Sequence, residues 1–274
     1  MFSNKYIFVY TAVLVTVVAA VLSTAAILLQ PMQTKNVEIE KMQNILRSAD
    51  IESTSDNAVS LYEQYITEEL LVNAQGNVCD VYAQGRMQKG NLRAFDVNLK
   101  DELAKPKDQA LFPVFICQNN TEKMYVVPLQ GKGLWGPIWG YLALKADLNT
   151  IIGVTLDHKG ETPGLGAEIA DPKFQSFFKG KEIFNTNGEF VSVVLVKGGV
   201  KNGNISVQHA VDAISGGTIT SNGVTDMLKT CLSNYENYFQ KLKQQMETDL
   251  SSTDSVSLND SVQLNAVIEA SIVE

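Results

Sequence analysis

Residues 212–232, DAISGGTITSNGVTDMLKTCL, join a loop of glycines and hydroxyl side chains to an amphipathic segment. From Val224 onward, apolar residues recur at three- and four-residue spacing, which predicts a helix that begins near Ser221 and buries one face. A helix N-terminus leaves backbone N–H groups free and carries a partial positive charge, so the loop before it suits a phosphate group. An ordinary Ser/Thr cap and turn is the alternative, and composition alone favours it. The predicted apolar stripe comprises Val224, Met227, Leu228, Cys231, Leu232, Tyr235, Tyr238, Phe239 and Leu242.

The N-terminal segment is long and apolar enough to cross a membrane. Residues 6–29 carry no charge, and as a helix they would span roughly 36 Å, more than the hydrocarbon core of a bilayer. We predict a retained anchor over residues 1–30, with Gln30 and Pro31 ending the helix. A cleaved signal peptide and a buried core helix are the alternatives. Lys5 and Lys35 flank the segment almost symmetrically, so charge does not set its orientation.

The body of the chain, residues 31–245, reads as a domain of class α+β. Helical spacing covers Asn36 to Arg47, Asn57 to Leu71 and the short segment that Asp171 and Pro172 open. Short β-rich runs separated by Gly, Asn and Pro predict a mainly antiparallel sheet with flanking helices. These runs are Phe112–Cys117, Met124–Pro128, Ile138–Leu144, Ile151–Leu156 and Phe190–Lys197.

Charge and cysteine content exclude several classes of function. The net charge is −8 and no cluster of Lys or Arg stands out, which argues against a nucleic-acid surface. The two histidines and three cysteines lack metal-ligand spacing, which argues against a zinc or iron–sulfur site built by the protein alone. Two cysteines could pair, or all three could be small buried residues. Residues 246–274 contain six acidic and no basic side chains, and we predict that this tail is disordered.

Two further motifs lie in the middle of the chain. Glu161-Thr162-Pro163-Gly164-Leu165-Gly166 follows a predicted strand and forms a tight turn with one carboxylate, for which an ordinary hairpin loop is the alternative. Residues 131–141, GKGLWGPIWGY, hold two tryptophans and a tyrosine in a glycine-rich setting. Such aromatics can face a planar ring system, although they are more often core residues.

Together and in this order, the three motifs and Gln-Asn-Ile-Leu at 43–46 resemble the FMN-binding domain family, in particular the flavin-bearing NqrC-type subunits of sodium-translocating NADH:quinone reductases. That family attaches flavin to the last hydroxyl of an Asp-x-x-Ser/Thr-Gly-Ala-Thr/Ser pattern. The pattern falls here on Asp212, Ser215, Gly216, Gly217 and Thr218, with Gly217 in the place of the usual alanine. Thr220 is the alternative acceptor.

The resemblance implies that FMN is joined through its phosphate to Thr218 by a separate flavin transferase, which uses FAD and releases AMP. A threonine hydroxyl is a weak nucleophile without a base, and no triad is visible in the sequence, so an outside catalyst is plausible. Ser215, Gly216, Gly217, Thr220 and Ser221 would surround the phosphate. Glu161, Thr162, Gly164, Leu165 and Gly166 would line the ring, with Trp135 and Lys197 nearby.

The resemblance further implies an enzyme subunit that transfers electrons in a respiratory complex of the bacterial inner membrane. Its domain would face the periplasm, accept an electron from a metal centre elsewhere in the complex and pass it to another flavin-bearing subunit. The complex would oxidise NADH, reduce ubiquinone and export sodium ions. This chain has no glycine-rich βαβ unit and should not bind NADH itself. The alternatives are the equivalent subunit of the ferredoxin:NAD oxidoreductase complex and a membrane-tethered binding or assembly module without a redox role.

Overall fold

A computed structural model of the protein describes residues 3–119, 122–202 and 204–248, which form an α+β structure. The helices are α1 Asn4–Ser48, α2 Ala58–Tyr65, α3 Leu99–Leu103, α4 Pro172–Ser176 and α5 Thr218–Ser233, and residues 236–248 are also helical. The strands are β1 Ile66–Asn73, β2 Val78–Ala83, β3 Arg86–Lys89, β4 Leu111–Asn119, β5 Glu122–Lys132, β6 Pro137–Leu144, β7 Ile151–His158, β8 Val194–Val196 and β9 Ala210–Asp212. Short 3₁₀ helices lie at Ala94–Asp96, Gly166–Ala170, Val200–Asn202 and Val207–His209.

Seven strands form one antiparallel sheet in the order β3-β2-β1-β4-β5-β6-β7, and β8 and β9 form a separate parallel pair. Each face of the large sheet covers a hydrophobic core. Helix α5 packs over one face, and the end of α1 with α2 packs over the other. The predicted class, with a mainly antiparallel sheet, flanking helices and a long apolar helix at the N-terminus, is therefore confirmed.

Helix α1 runs for 45 residues and passes through Pro31, so the prediction that Gln30 and Pro31 end it is wrong. Proline removes one backbone hydrogen bond from a helix, but the residues beyond it are held by tertiary packing. Ile45 and Leu46 are fully buried against the sheet.

Among the described residues, α1 is the one helix long and apolar enough to cross a membrane, judged by length and composition.

The predicted helix over Asn57–Leu71 is also wrong, because only Ala58–Tyr65 is helical and β1 follows at once. Glu69 lies on β1 and is buried. Its carboxylate accepts hydrogen bonds from the Arg93 guanidinium at 2.6 and 3.0 Å and from the Tyr62 hydroxyl at 3.0 Å. This ion pair, of which only the Glu69 side is fully buried, joins residues 24 positions apart. Local sequence patterns therefore gave no sign that Glu69 lies on a buried strand.

The predicted apolar stripe is buried from Val224 to Phe239 and partly buried at Leu242, but it belongs to two helical segments. Helix α5 begins at Thr218, three residues before the predicted start, and ends at Ser233. Residues 234 and 235 form a turn, in which the Tyr235 hydroxyl donates a 2.9 Å hydrogen bond to the Pro113 carbonyl. This bond across the core fixes the turn, after which the helix resumes at residue 236.

The predicted strand Phe190–Lys197 shrinks to Val194–Val196. Ser192 has φ of 62°, a left-handed conformation that interrupts extended backbone. The remaining three residues pair with β9, and Val196 lies opposite Asp212.

The three cysteines are free in the structure. Cys117 and Cys231 are buried in the cores on opposite faces of the sheet, where burial raises the pKa of their thiols to about 12 and about 11. Of the tail predicted to be disordered, residues 246–248 are helical, and the rest lies outside the described residues.

Two glycines bring α5 close to β5. A Cβ atom at Gly223 would lie 2.3 Å from the Lys132 carbonyl oxygen, and one at Gly131 would lie 2.6 Å from Cβ of Met227. Both distances are too short for a real side chain. The height of α5 over the sheet, and with it the position of its N-terminus, therefore depends on these two glycines.

We expect Gly223→Ala to lower the free energy of unfolding by about 1–3 kcal/mol, because the new methyl group must push the helix away from the backbone of β5. Denaturant unfolding of the full chain in detergent measures the change. Asn222→Ala is the matched control, since Asn222 is exposed and its substitution should cost less than about 0.5 kcal/mol. Equal stability of the two variants would contradict the close packing.

Candidate functional site

The three motifs of the sequence meet at the carboxylate of Glu161, which is 5% exposed. Its Oε1 accepts a 2.8 Å hydrogen bond from the backbone N–H of Trp135. Its Oε2 accepts a 2.6 Å hydrogen bond from the hydroxyl of Thr220 in the first turn of α5. One side chain therefore links the turn between β5 and β6, the loop after β7 and the start of α5.

Glycines leave the room that this carboxylate needs. A Cβ atom at Gly133 would lie 2.5 Å from Oε1 of Glu161, and one at Gly166 would lie 2.5 Å from both Oε2 and the Thr220 hydroxyl oxygen. Gly216 has φ of +75°, and a Cβ atom there would lie 2.6 Å from Leu165. A side chain at Gly133 or Gly166 would therefore displace the buried Glu161 carboxylate, whereas Gly216 is favoured mainly by its left-handed backbone conformation.

Both loops are held in place from within. The Gly133 N–H donates to the Gly136 carbonyl at 2.8 Å, which closes the turn between β5 and β6. The Glu161 N–H donates to Nδ1 of His158 at 3.2 Å, so His158 carries its proton on Nε2 in this arrangement. These bonds fix the backbone on both sides of the hydrogen bond between the Trp135 N–H and the Glu161 carboxylate.

The N-terminus of α5 has no side-chain cap. Gly217 occupies the N-cap position, no side chain of the residues that the structure describes accepts from the first N–H groups, and the first turn contains no acidic residue. The Ser221 hydroxyl instead accepts a 3.1 Å hydrogen bond from the backbone N–H of Ile214 and fastens the loop. The ordinary Ser/Thr cap that composition favoured is therefore absent, and the free N–H groups suit an anion.

The two candidate acceptor threonines differ in access. Thr220 is 1% exposed and its hydroxyl donates to Glu161. Thr218 is half-buried, and within the described parts of the chain its hydroxyl has no hydrogen-bond partner. Of the two threonine hydroxyls, that of Thr218 is therefore the more accessible.

These elements enclose a cavity of about 220 Å³. Larger cavities of about 510 and 760 Å³ lie beside α1 and beside the Glu69–Arg93 pair, but the residues of the three motifs converge only on the smaller one among the cavities described here. Its lining comprises Leu134, Glu161, Thr162, Leu165, Gly166, Gly216, Gly217, Thr218, Ile219 and Thr220.

Some predicted site residues lie away from this lining. Ser215 and Lys197 are exposed, and the Trp135 side chain is 69% exposed while its backbone contacts Glu161. Gly164 and Ser221 are also absent from the lining. Leu134 and Ile219, by contrast, line the cavity although the sequence patterns did not select them. In the sequence, each of them stands out only as an apolar residue within a glycine-bearing motif.

Asp212, the first residue of the motif, accepts a 2.6 Å hydrogen bond at Oδ1 from the Val200 N–H. It thereby fastens the turn that follows β8, which carries Lys197. Gly217 has φ of −104°, which any residue tolerates. A Cβ atom there would lie 3.0 Å from Cγ2 of Ile214, so an alanine requires only a small shift of that side chain.

Known proteins are similar to most of this chain. The FMN-binding domain profile matches residues 133–233, which include two of the motifs whole and the third from Gly133 onward. The NqrC-type subunit of the Na(+)-translocating NADH-quinone reductase of Vibrio vulnificus is 33% identical over 214 residues, covering 76% of this chain and 82% of the relative. The corresponding subunit of Chlamydia trachomatis is 31% identical over 285 residues, covering 84% and 90%.

Two solved structures share the fold. The crystal structure of the corresponding Na(+)-translocating NADH-quinone reductase subunit from Parabacteroides distasonis superposes with a TM-score of 0.67 at 39% identity, covering 77% of this chain and 96% of that one. The crystal structure of Shewanella oneidensis NqrC gives a TM-score of 0.59 at 30% identity, covering 76% and 99%.

We expect Thr220→Val to lower the free energy of unfolding by about 1–3 kcal/mol, because it leaves Oε2 of the buried Glu161 without its donor. Thr218→Val is the matched control and should change the stability by less than about 0.5 kcal/mol, since that hydroxyl has no partner in the described structure. Denaturant unfolding of both variants, made without flavin, measures the difference. A larger loss for Thr218→Val would contradict the assigned contacts.

Proposed function

The chain belongs to the NqrC family of Na(+)-translocating NADH-quinone reductase subunits, and we propose that it carries FMN covalently on Thr218 and transfers electrons within that complex. The observation that carries the attachment site is the contrast between the two threonines of one helical turn. Thr218 is accessible and lacks a partner among the described residues, whereas Thr220 is buried and bonded to Glu161.

The residues of the cavity fit a flavin phosphate. The uncapped N-terminus of α5 offers backbone N–H groups, and the left-handed Gly216 lets the loop backbone approach a ligand closely. Ser215 is exposed beside this loop, where its hydroxyl can also reach a phosphate oxygen. A phosphate held at this point would lie beside the cavity, all of whose lining residues fall within the range that the FMN-binding profile matches.

Attachment needs a catalyst from outside the chain. The Thr218 hydroxyl oxygen would bond to the FMN phosphorus of FAD, while the phosphorus–oxygen bond to AMP breaks and AMP leaves with the bonding electrons. The hydroxyl proton must pass to a base, and no side chain of the described residues hydrogen-bonds to Thr218. A separate flavin transferase would therefore supply the base and the activation.

The cavity has an apolar rim that suits a planar ring. Leu134, Leu165 and Ile219 line it and are 45%, 41% and 59% exposed. At about 220 Å³ the cavity is smaller than the roughly 300–1,000 Å³ of typical small-molecule pockets, so part of a flavin would lie against this rim. The flavin supplies the redox chemistry, and the protein supplies attachment, orientation and local electrostatics.

The remaining parts of the proposal concern the complex. Helix α1 would anchor the chain in the bacterial inner membrane with the domain on the periplasmic side. The other subunits would supply electrons from a metal centre and receive them at a second flavin, while the complex oxidises NADH, reduces ubiquinone and exports sodium ions. The named relatives from Vibrio and Chlamydia favour this complex over the ferredoxin:NAD oxidoreductase. The shared FMN-binding motifs disfavour a tethered module without a redox role.

We expect Thr218→Val to abolish covalent flavin when the full chain is produced together with a flavin transferase, because the acceptor oxygen is gone. Flavin fluorescence on a denaturing gel and the intact mass, which should rise by one FMN minus one water in the wild type, measure attachment. Thr218→Ser is the control, since it keeps the hydroxyl and should remain modified. Flavin retained by Thr218→Val would refute the site, and an unmodified wild type would refute the function.

A further inference from the structure

Glu161 differs from the other buried carboxylates of the described residues. Glu69 pairs with Arg93 and Glu102 pairs with Lys105. Glu161 has no ion pair within the described parts of the chain, and its oxygens accept only from a backbone N–H and a hydroxyl. Burial of a carboxylate without a cation is costly. A buried carboxylate that lines a cavity is a candidate for a functional role.

We propose that Glu161 is a positioning residue that selects Thr218 for flavin attachment. This inference rests on the proposed function, and it assigns to Glu161 a role other than direct contact with the flavin ring. Both carboxylate oxygens are already engaged, one with the Trp135 turn and the other with α5. Glu161 therefore acts on the flavin site through the two elements that it joins, the Trp135 turn and the first turn of α5.

The helical geometry explains how one hydrogen bond selects a threonine. At 3.6 residues per turn, Thr218 and Thr220 point roughly 200° apart around the axis of α5. The bond from Thr220 to Glu161 fixes the rotation of this first turn, so Thr220 faces the protein interior and Thr218 is presented outward. The bond to Trp135 holds the Leu134 turn against the same cavity. Loss of the carboxylate releases both of these elements together.

Two substitutions of Glu161 separate the effect of its two hydrogen bonds from the effect of its negative charge. Glu161→Ala removes both acceptors. Glu161→Gln keeps both contacts but reverses one of them, because its Oε1 can accept from the Trp135 N–H while its Nε2 donates to the Thr220 hydroxyl oxygen. Gly166→Ala offers an independent route, since its Cβ atom would lie 2.5 Å from both Oε2 of Glu161 and the Thr220 hydroxyl oxygen and would force them apart.

The test measures the rate of covalent flavin attachment to the full chain, with purified flavin transferase and FAD, by intact mass, and the attachment site by peptide mass mapping. We expect Glu161→Ala and Gly166→Ala to slow attachment at least about tenfold, which corresponds to roughly 1.4 kcal/mol, and to place part of the flavin on Thr220. Glu161→Gln should recover most of the rate, with flavin on Thr218 alone. Glu102→Ala is the matched control, because Glu102 is equally buried but lies on α3, outside the cavity lining, and the rate per folded molecule should stay unchanged.

Four outcomes would overturn the proposal. Attachment to Glu161→Ala and Gly166→Ala at the wild-type rate and on Thr218 alone would show that Glu161 selects nothing. Equal slowing in Glu102→Ala would show that the effect comes from a general loss of stability. A Glu161→Gln variant as slow as Glu161→Ala would show that it comes from the loss of charge. A wild-type chain that takes up no flavin would refute the proposed function, and this inference with it. The wild-type sample alone distinguishes this outcome from the other three.

Discussion

The hydrogen bonds of the Glu161 carboxylate hold the candidate site together. They join a turn, a loop and a helix start that lie at positions 135, 161 and 220 of the sequence. Each contact is between a buried acceptor and a donor with no alternative partner in the described structure, so breaking either one leaves an unsatisfied polar group. The glycines at 133 and 166 are needed because any side chain there would displace the carboxylate.

The fold explains why these distant segments meet. Strands β5, β6 and β7 are consecutive neighbours in an antiparallel sheet, so the turn after β5 and the loop after β7 lie at the same edge. Helix α5 packs on β5 through Gly131 and Gly223, which brings its N-terminus to that edge. The packing of a helix on a sheet thus places a free, partly positive helix end beside two glycine-bearing loops, an arrangement suited to a ligand that has both a phosphate and a planar ring.

Local sequence patterns predicted the central part of the fold and missed interactions between distant residues. The strands β4 to β7 and the buried stripe after Val224 follow periodicity and turn residues. The strand β1 was missed because burial of Glu69 depends on Arg93, and the turn at residues 234 and 235 depends on Tyr235 reaching Pro113. The motif residues of the site were found through resemblance, whereas Leu134 and Ile219 required the cavity itself. The pairing of Glu161 with Thr220, 59 residues away, has no local signature.

The most direct test is an electron-density map of the full chain after flavin attachment. We expect continuous density from the hydroxyl oxygen of Thr218 to a phosphate at the N-terminus of α5. We also expect an isoalloxazine ring against Leu134 and Leu165, with Glu161 still bonded to Thr220 and the backbone of Trp135. Density that joins the phosphate to Thr220, or a Glu161 carboxylate turned away from both partners, would contradict the proposed attachment and the role of Glu161 in it.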